Sequence, residues 1–271
     1  KMDLVDFSQE KFEVIKQEIT ALAKRAGSTQ NITFIPVSAL QGDNVVNKSK
    51  HTPWYAGATL LEHFESLEAQ DVYRASVARL PVQTIIRPKT EEFHDFRGYA
   101  GKLYGGSLAI GDEVTVLPSK TTSKIKDLYF FDKKYSVAER GTSINITLEN
   151  DINISRGDLI VKSSELPQET KVLHAKVCWM DVANLVVGKK YLIQQGANVI
   201  AAKVTSIDAL IATDFSGEKE ATALQINEIG KVSFKLAKTL FYDAYTVNKT
   251  TGSFVLIDPQ TNNTSGAGFI Q

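Results

Sequence analysis

The spacing of apolar residues changes once along the chain, from a helical period to a strand period. In residues 8–26 apolar side chains recur three and four positions apart, which predicts an amphipathic helix with Ser8 as N-cap and Gly27 as its stop. A second helix is predicted within 51–68, where Thr59 precedes another apolar face. The apolar positions of the two faces are Phe12, Ile15, Ile19, Leu22 and Ala23, and Leu60, Leu61, Phe64 and Leu67.

From Pro81 onward the pattern is that of short strands separated by turns. Runs rich in Val, Ile, Thr, Tyr and Phe alternate with Gly and Asp, and Leu166-Pro167-Gln168 reads as a linker between two such blocks. The spacing predicts two small antiparallel β-barrels in succession. The predicted strand runs are 81–88, 98–107, 112–119, 124–131, 143–149 and 157–161, and then 171–180, 189–196, 198–211, 230–237 and 252–258.

The first residues carry a motif suited to recognising guanine. Lys1-Met2-Asp3 reads as the end of an Asn-Lys-x-Asp loop, in which the Asp carboxylate accepts two parallel hydrogen bonds from guanine and the Lys stem covers the purine face. The apolar run Ile32–Val37 predicts a buried strand that ends in the turn Ser38-Ala39-Leu40. Ligands of open α/β sheets gather at the carboxyl ends of strands, where both motifs are expected.

These patterns predict a multidomain fold of the α/β plus all-β class. Residues 1–79 are expected to be the carboxyl-terminal remnant of a P-loop GTPase domain with a linker helix. The first barrel is expected over 80–166 and the second over 167–271. No Gly-rich phosphate loop and no Asp-x-x-Gly switch precedes Lys1, so we expect a fragment that neither hydrolyses GTP nor binds it tightly.

Composition restricts the function classes further. The 31 basic and 31 acidic residues balance, so bulk charge gives no reason to expect nucleic acid or a membrane as partner. The single cysteine, Cys178, lies in a strand pattern, which predicts a buried thiol, and a lone cysteine fits a reducing, cytoplasmic compartment. His51, His63, His94 and His174 are scattered without ligand spacing, so no metal site is predicted.

Several motifs together resemble the GTPase (large) subunits of bacterial sulfate adenylyltransferase, within the elongation factor Tu-like GTPase group. The resemblance covers nearly the whole chain, and the blocks at 53–63 and 251–270 are the most distinctive. One departure is the stretch at 90–94, where a shorter connection is typical. The matching blocks are KMDLVDF at 1–7, VSALQGDNVV at 37–46, PWYAGATLLEH at 53–63, DFRGYAG at 95–101, GDEVTVLPS at 112–119, DINISRGDLIV at 151–161, NEIGKV at 227–232 and TGSFVLIDPQTNNTSGAGFI at 251–270.

The resemblance implies a function that the residues alone do not give. Such subunits are GTPases, with Mg²⁺, that partner a small catalytic subunit which joins sulfate to ATP, giving adenosine 5'-phosphosulfate and pyrophosphate. Carried over residue by residue, the guanine contacts fall on Lys1, Asp3, Ser38, Ala39 and Leu40. No catalytic residue and no bound cofactor are expected in this fragment. A fused adenylylsulfate kinase after Gln271 occurs in related proteins.

Two other classes stay open at this stage. A translation elongation factor of the same architecture would deliver aminoacyl-tRNA, although the balanced charge disfavours it. A stand-alone β-barrel binding module is the third class. Aromatic residues are the usual anchors of a protein partner, and the candidates are Trp54, Tyr55, Phe93 and Tyr99, although Trp54 and Tyr55 are expected mainly to fasten a loop to its own domain.

Overall fold

The computed structural model describes residues 1–28, 31–68, 77–88, 96–131 and 133–271. The chain divides into two compact units. One comprises residues 1–71 with 213–217, and the other comprises 72–212 with 218–271. The structure is mostly β, as the sequence predicts for everything after the first two helices.

The first unit contains a short 3-10 helix and two α-helices. The 3-10 helix is Met2–Val5, α1 is Gln9–Arg25 and α2 is Leu60–Ser66. Both predicted N-caps are confirmed. Ser8 Oγ accepts a hydrogen bond from Lys11 N at 3.3 Å, and Thr59 forms a reciprocal capping box with Glu62.

The apolar faces of α1 and α2 remain largely open to solvent. Neither helix contains a buried residue. Ile15 is 54% exposed in α1, and Phe64 is 59% exposed in α2. Both helices therefore owe their local order to capping and propensity more than to burial of a face.

The strand predicted at Ile32–Val37 is wrong. The described residues 31–37 have no strand assignment, and the isolated bridges that follow them join Ser38 to Asp43 and Asp43 to Asn47. A strand requires a backbone partner along its length. Among the described residues, Met2 alone donates a backbone hydrogen bond to this run, at Val37 O.

Ten strands form the first barrel region. Its main sheet runs in the order β1-β10-β5-β6-β9-β3-β2, while β7 pairs with β6 and β4 pairs with β8. Two backbone hydrogen bonds, each 2.8 Å long, join Arg79 and Tyr104. They place β1 beside the segment that follows β3, so the sheet curves towards closure. The strands are β1 Arg79–Pro81, β2 Thr84–Ile86, β3 Gly98–Lys102, β4 Ser107–Ala109, β5 Glu113–Leu117, β6 Thr121–Phe130, β7 Lys133–Tyr135, β8 Val137–Glu139, β9 Ser143–Leu148 and β10 Leu159–Lys162.

The second barrel is closed by six strands. Its order is β13-β18-β19-β11-β17-β14, and β14 pairs again with β13. Alternate residues of β11 point inward, as the period of two of a β-strand requires. They include Ala175, Val177 and Trp179. Strand β11 already begins at Gln168, so the predicted linker is shorter than expected. The strands are β11 Gln168–Trp179, β12 Leu185–Val186, β13 Lys190–Gln195, β14 Asn198–Ile211, β15 Glu218–Lys219, β16 Ala223–Leu224, β17 Ile229–Tyr242, β18 Ser253–Ile257 and β19 Thr264–Ile270.

Each barrel has its own apolar core. One cluster of buried side chains runs from Ala78 to Ile160 and another from Leu173 to Ile270. A small third cluster joins the barrels, in which Leu117, Leu159 and Val161 pack with Phe241. Cys178 is a free thiol and is half-buried on β11.

Candidate functional site

The structure brings the two predicted guanine motifs side by side. The backbone N–H of Met2 donates to Val37 O at 3.0 Å, which places Lys1-Met2-Asp3 next to Ser38, the residue that follows Val37. The two motifs lie far apart in sequence, and this backbone hydrogen bond holds them next to each other. The chain thus supplies two adjacent loops on one surface of the first unit.

The first loop is held by its middle residue. Met2 is buried, with 7% of its surface exposed, whereas Lys1 is exposed and Asp3 is half-buried. The loop turns tightly, because Phe7 N donates to Met2 O at 3.0 Å and Asp6 takes a left-handed φ of 47°. Burying Met2 leaves the side chains on either side free to face a ligand.

The second loop is a tight turn around a buried serine. Ser38 is fully buried, and its Oγ accepts from Gln41 N at 3.3 Å while its carbonyl accepts from Gly42 N at 2.8 Å. Ala39 and Leu40 project outward, and Leu40 is 85% exposed. The predicted site residues therefore divide into one anchor, Ser38, and four that reach the surface or lie half-buried near it.

Asn44 is the scaffold of this region, and the sequence did not single it out. Its buried Nδ2 donates to Pro36 O at 2.7 Å and to Thr52 Oγ1 at 2.9 Å, and its Oδ1 accepts from Ser49 N at 2.8 Å. Its φ of 54° lies in the left-handed region, which Asn tolerates better than most residues. The Gly-Asp-Asn triplet directly after the Ser38 turn is the signal that could have identified it.

A small polar cluster lies beside this scaffold. Asp43 Oδ1 accepts from Ser49 Oγ at 2.5 Å and lies 3.0 Å from His51 Nδ1, while the other carboxylate oxygen is buried without a hydrogen-bond partner among the described residues. The hydrogen bond from Ser49, followed by that from His51, lowers the pKa of Asp43 below its ordinary value. The His51 ring also packs on Phe7, with centroids 4.7 Å apart.

The aromatic residues predicted as partner contacts lie in different environments. Trp54 fastens its loop to the first unit, because its Nε1 donates to Phe7 O at 3.2 Å and its ring lies 5.4 Å from Phe12, as expected. Tyr55 OH donates to Ala58 O at 2.9 Å. The suggestion of Tyr99 as a contact is wrong, since it is 1% exposed in the first barrel core and its OH donates to Ile152 O.

Phe93 and His94 lie outside the described residues. Within the parts of the chain that the structure describes, no group of three or more His, Cys, Asp and Glu side chains could hold a metal ion. Those same parts contain no helix long and apolar enough to cross a membrane.

The adjacent loops offer a carboxylate, a lysine and exposed backbone groups, which suit a purine base. They offer no cradle for phosphates.

Comparison with known proteins adds to this geometry. Residues 172–271 match the family described as GTP-eEF1A C-terminal domain-like. Sulfate adenylyltransferase subunit 1 of Bacteroides fragilis is 40% identical over 270 residues, covering 100% of this chain and 56% of that protein. Over its full length the chain is homologous to sulfate adenylyltransferase subunit 1.

A second relative shows the same relationship in a longer protein. The bifunctional enzyme CysN/CysC of Mycobacterium tuberculosis (strain H37Rv) is 42% identical over 272 residues, covering 100% of this chain and 44% of that enzyme. The chain thus spans about half the length of the curated relatives it matches. In both relatives the similarity extends from the Lys1 loop to the last strand of this chain.

Solved structures of translation factors share the fold. The structure of sup35 complexed with GMPPNP superposes with a TM-score of 0.66 at 18% identity, covering 100% of this chain and 67% of that chain. The elongation factor SelB from Methanococcus maripaludis superposes with a TM-score of 0.58 at 18% identity, covering 78% of this chain and 45% of that chain. At this identity the likeness concerns the fold alone.

Proposed function

We propose that this chain is part of a regulatory GTPase subunit that works with a second, catalytic subunit of sulfate adenylyltransferase. In this function GTP hydrolysis drives the joining of sulfate to ATP, which yields adenosine 5'-phosphosulfate and pyrophosphate. The names of the relatives support the proposal, because the term subunit 1 implies at least one other subunit. The observation that carries it for this chain is the Met2–Val37 hydrogen bond beside the two guanine motifs.

The roles proposed for the base site are those that the family resemblance implies, and the geometry is compatible with them. Asp3 is assigned to the N1 and N2 hydrogens of guanine, since a carboxylate accepts two parallel hydrogen bonds. Lys1 lies over the purine face through its stem, and backbone groups of Ser38-Ala39-Leu40 approach the base from the other loop. Ser38 acts as the buried anchor of that turn.

GTP and its Mg²⁺ need more than these loops. Bound GTP supplies the phosphoryl group whose transfer releases free energy, and that chemistry depends on a phosphate-cradling loop, a lysine and a Mg²⁺ ligand. The sequence of 271 residues contains no G-x-x-x-x-G-K-S/T motif. We therefore propose that the loops described here recognise the base, while this chain alone does not hydrolyse GTP.

A binding comparison tests the proposed function. The chain, immobilised, is exposed to the purified second subunit from its own organism and, separately, to aminoacyl-tRNA. We expect retention of the second subunit and no retention of tRNA at physiological salt. The net formal charge of +0 supports this expectation, because tRNA binding relies on cationic surface. Retention of tRNA without the second subunit would place the chain's function among the translation factors.

A further inference from the structure

A cleft with a volume of about 640 Å³ opens between the two barrels. Its floor is apolar, because the side chains that join the barrels, Leu117, Leu159 and Phe241, also line the cleft. Small-molecule sites typically enclose about 300–1,000 Å³, occur preferentially where two domains meet, and combine an apolar lining with a few polar groups. The size and the position of this cleft therefore suit a small ligand. We name it the inter-barrel cleft.

The charges that line the inter-barrel cleft are mostly positive. Among the described residues, three cations and one carboxylate line it, namely Arg156, Lys171, Lys238 and Asp158. The carboxylate is engaged within its own turn, since Asp158 Oδ2 accepts a hydrogen bond from Ser155 N at 2.8 Å. The whole chain has a net formal charge of +0, so this excess of positive charge is local. A cleft lined by charges of one sign concentrates ligands of the opposite sign, which are anions here.

An interruption of the second barrel's sheet carries both lysines. The pairing of β11 with β17 shifts between Thr170 and Val172, where Lys171 alone faces residues 236–239 of β17. Residues 237–239 have no pairing partner on β14 either, so the strand leaves the ladder where Lys238 lies. Such bulges re-aim side chains and are over-represented next to active sites. The interruption is therefore a positional reason for both lysines to line the inter-barrel cleft.

The cations of the inter-barrel cleft are able to bind a ligand. Both lysines are exposed, and neither forms a salt bridge or a side-chain hydrogen bond within the described residues. Glu169, which precedes Lys171 by two positions, already pairs with Lys120 Nζ at 2.9 Å. Arg156 is oriented from the first barrel, because its Nη1 donates to Gln83 O at 2.6 Å. Its remaining N–H groups can donate to a ligand.

We propose that the inter-barrel cleft binds a small phosphate-bearing oxyanion with two or more negative charges, such as a diphosphate. An anion of this charge balances the excess of positive charge in the lining. Lys171 and Lys238 donate to its oxygens from the second barrel, while Arg156 donates from the first. A guanidinium suits two oxygens of one phosphate, whereas a lysine acts as a point charge. The inference goes beyond the proposed function and does not depend on it.

Titration with inorganic pyrophosphate at constant ionic strength, followed by NMR amide chemical shifts, tests the site. We expect saturable shifts at residues that line the cleft, among them Gly157, Ala197 and Lys238. The three cations are exposed, and exposed charge pairs contribute little each, so we expect a Kd in the millimolar range. The Kd should rise about threefold for Lys238→Ala and about tenfold for Lys171→Ala with Lys238→Ala.

The matched control is Lys235→Ala. Lys235 is also exposed on β17, but it pairs with Val172 outside the interruption and does not line the inter-barrel cleft. The substitution removes the same charge, so we expect the Kd of Lys235→Ala to match that of the wild type. The Tm of each variant without pyrophosphate shows that the fold is retained, since all the replaced side chains are exposed.

Parallel titrations identify the chemistry of the ligand. Inorganic sulfate carries fewer charges than pyrophosphate and cannot span several cations as well, so we expect it to bind more weakly. Binding of sulfate as tight as that of pyrophosphate would overturn the assignment to phosphate. Equal increases in Kd for Lys238→Ala and Lys235→Ala, or shifts that do not saturate, would show attraction to bulk charge and remove the site. Saturable shifts with a hexaglutamate peptide and none with pyrophosphate would show that the cleft takes an acidic protein segment instead.

Discussion

Arg79 and Asp243 form a buried, bidentate ion pair between the first and the second barrel. Arg79 Nε lies 2.9 Å from Asp243 Oδ2, and Nη2 lies 2.8 Å from Oδ1. The two residues are 1% and 8% exposed. Arg79 Nη1 also donates to the carbonyls of Ala78 and Glu165, and Thr251 Oγ1 donates to Asp243. Nearly every polar atom of the pair is thus satisfied, as burial of charge requires.

Replacing Arg79 by methionine should destabilise the region that joins the two barrels. The change leaves the Asp243 carboxylate buried with Thr251 as its remaining side-chain partner, and loss of one partner of a buried ion pair costs about 3–5 kcal/mol. The free energy of unfolding from urea titration checks this. We also expect the two barrels of this variant to unfold in separate transitions, because the ion pair couples two separate cores.

The double variant Arg79→Met with Asp243→Leu provides the control. It removes both charges, so most of the lost stability should return, as replacement of buried ion pairs by apolar residues is often nearly neutral. A double variant as unstable as the single one would show that packing around Arg79, and not the unpaired carboxylate, carries the effect.

Asp208 should make the second barrel less stable in acid. A hydrogen bond from Ser206, then one from Ser233 and the nearby His174, lowers the pKa of Asp208 below 3.8. A lowered folded-state pKa gives stability that is complete above the unfolded value of 3.8 and is lost as the pH falls through the folded value. Unfolding free energies measured at pH values above and below 3.8 should show this loss for the wild type.

The matched variant for this test is Asp208→Asn. Its carboxamide cannot titrate, so its stability curve should be flatter in the same acid range, while its stability at neutral pH should be lower. Asp208 is exposed on β14, so we expect a modest difference. Parallel curves for the wild type and Asp208→Asn would show that other carboxylates dominate acid unfolding.

Gly268→Ala should destabilise the second barrel. A Cβ at this position on β19 would lie about 2.6 Å from Cε1 of the Phe254 ring, far inside van der Waals contact. Phe254 is 4% exposed in the core and cannot move into solvent, so the cost is about 1–3 kcal/mol, as in other overpacked cores. Thermal unfolding of Gly268→Ala and of the wild type measures this loss of stability. Adding Phe254→Leu to Gly268→Ala should recover part of the loss, and no recovery would point away from the ring.

The first unit should exchange its amide hydrogens faster than the barrels. Its helices α1 and α2 contain no buried residue, whereas each barrel surrounds a continuous apolar cluster. Local opening is easiest where few apolar contacts are lost. Hydrogen exchange followed by mass spectrometry should show low protection over residues 9–25 and 60–66. Equal protection of these helices and of β11 and β17 would contradict the prediction.

Base selectivity tests the guanine loops directly. Titration of this chain with GTP should show no saturable binding at micromolar concentrations, because phosphate contacts supply most of the affinity for nucleotides. In a longer chain that carries the phosphate loop, Asp3→Asn should shift preference from guanine towards xanthine, since the amide presents a donor where the carboxylate presents an acceptor. Unchanged selectivity would mean that Lys1-Met2-Asp3 does not contact the base.

Local signals in the sequence were sufficient to predict the helices and most of the strands. Ser8 and Thr59 cap the predicted helices because capping depends on residues three positions apart. Strands β11 and β14 occupy the predicted strand runs 171–180 and 198–211, and buried and exposed residues alternate along much of each strand. Strand β19 was not predicted, since Gly266 and Gly268 resemble turn residues. In the barrel they allow close approach to Trp179 and Phe254.

The sequence by itself determined the capped helices, the two β-rich blocks and the residue types of the guanine motifs, because each depends on neighbours within a few positions. Tertiary structure alone decided that Val37 lies beside Met2, that Tyr99 is buried and that residues 31–37 form no strand. It also paired Arg79 with Asp243, which are 164 positions apart. Such contacts depend on which distant backbone and side-chain groups satisfy one another, and no local pattern encodes that choice.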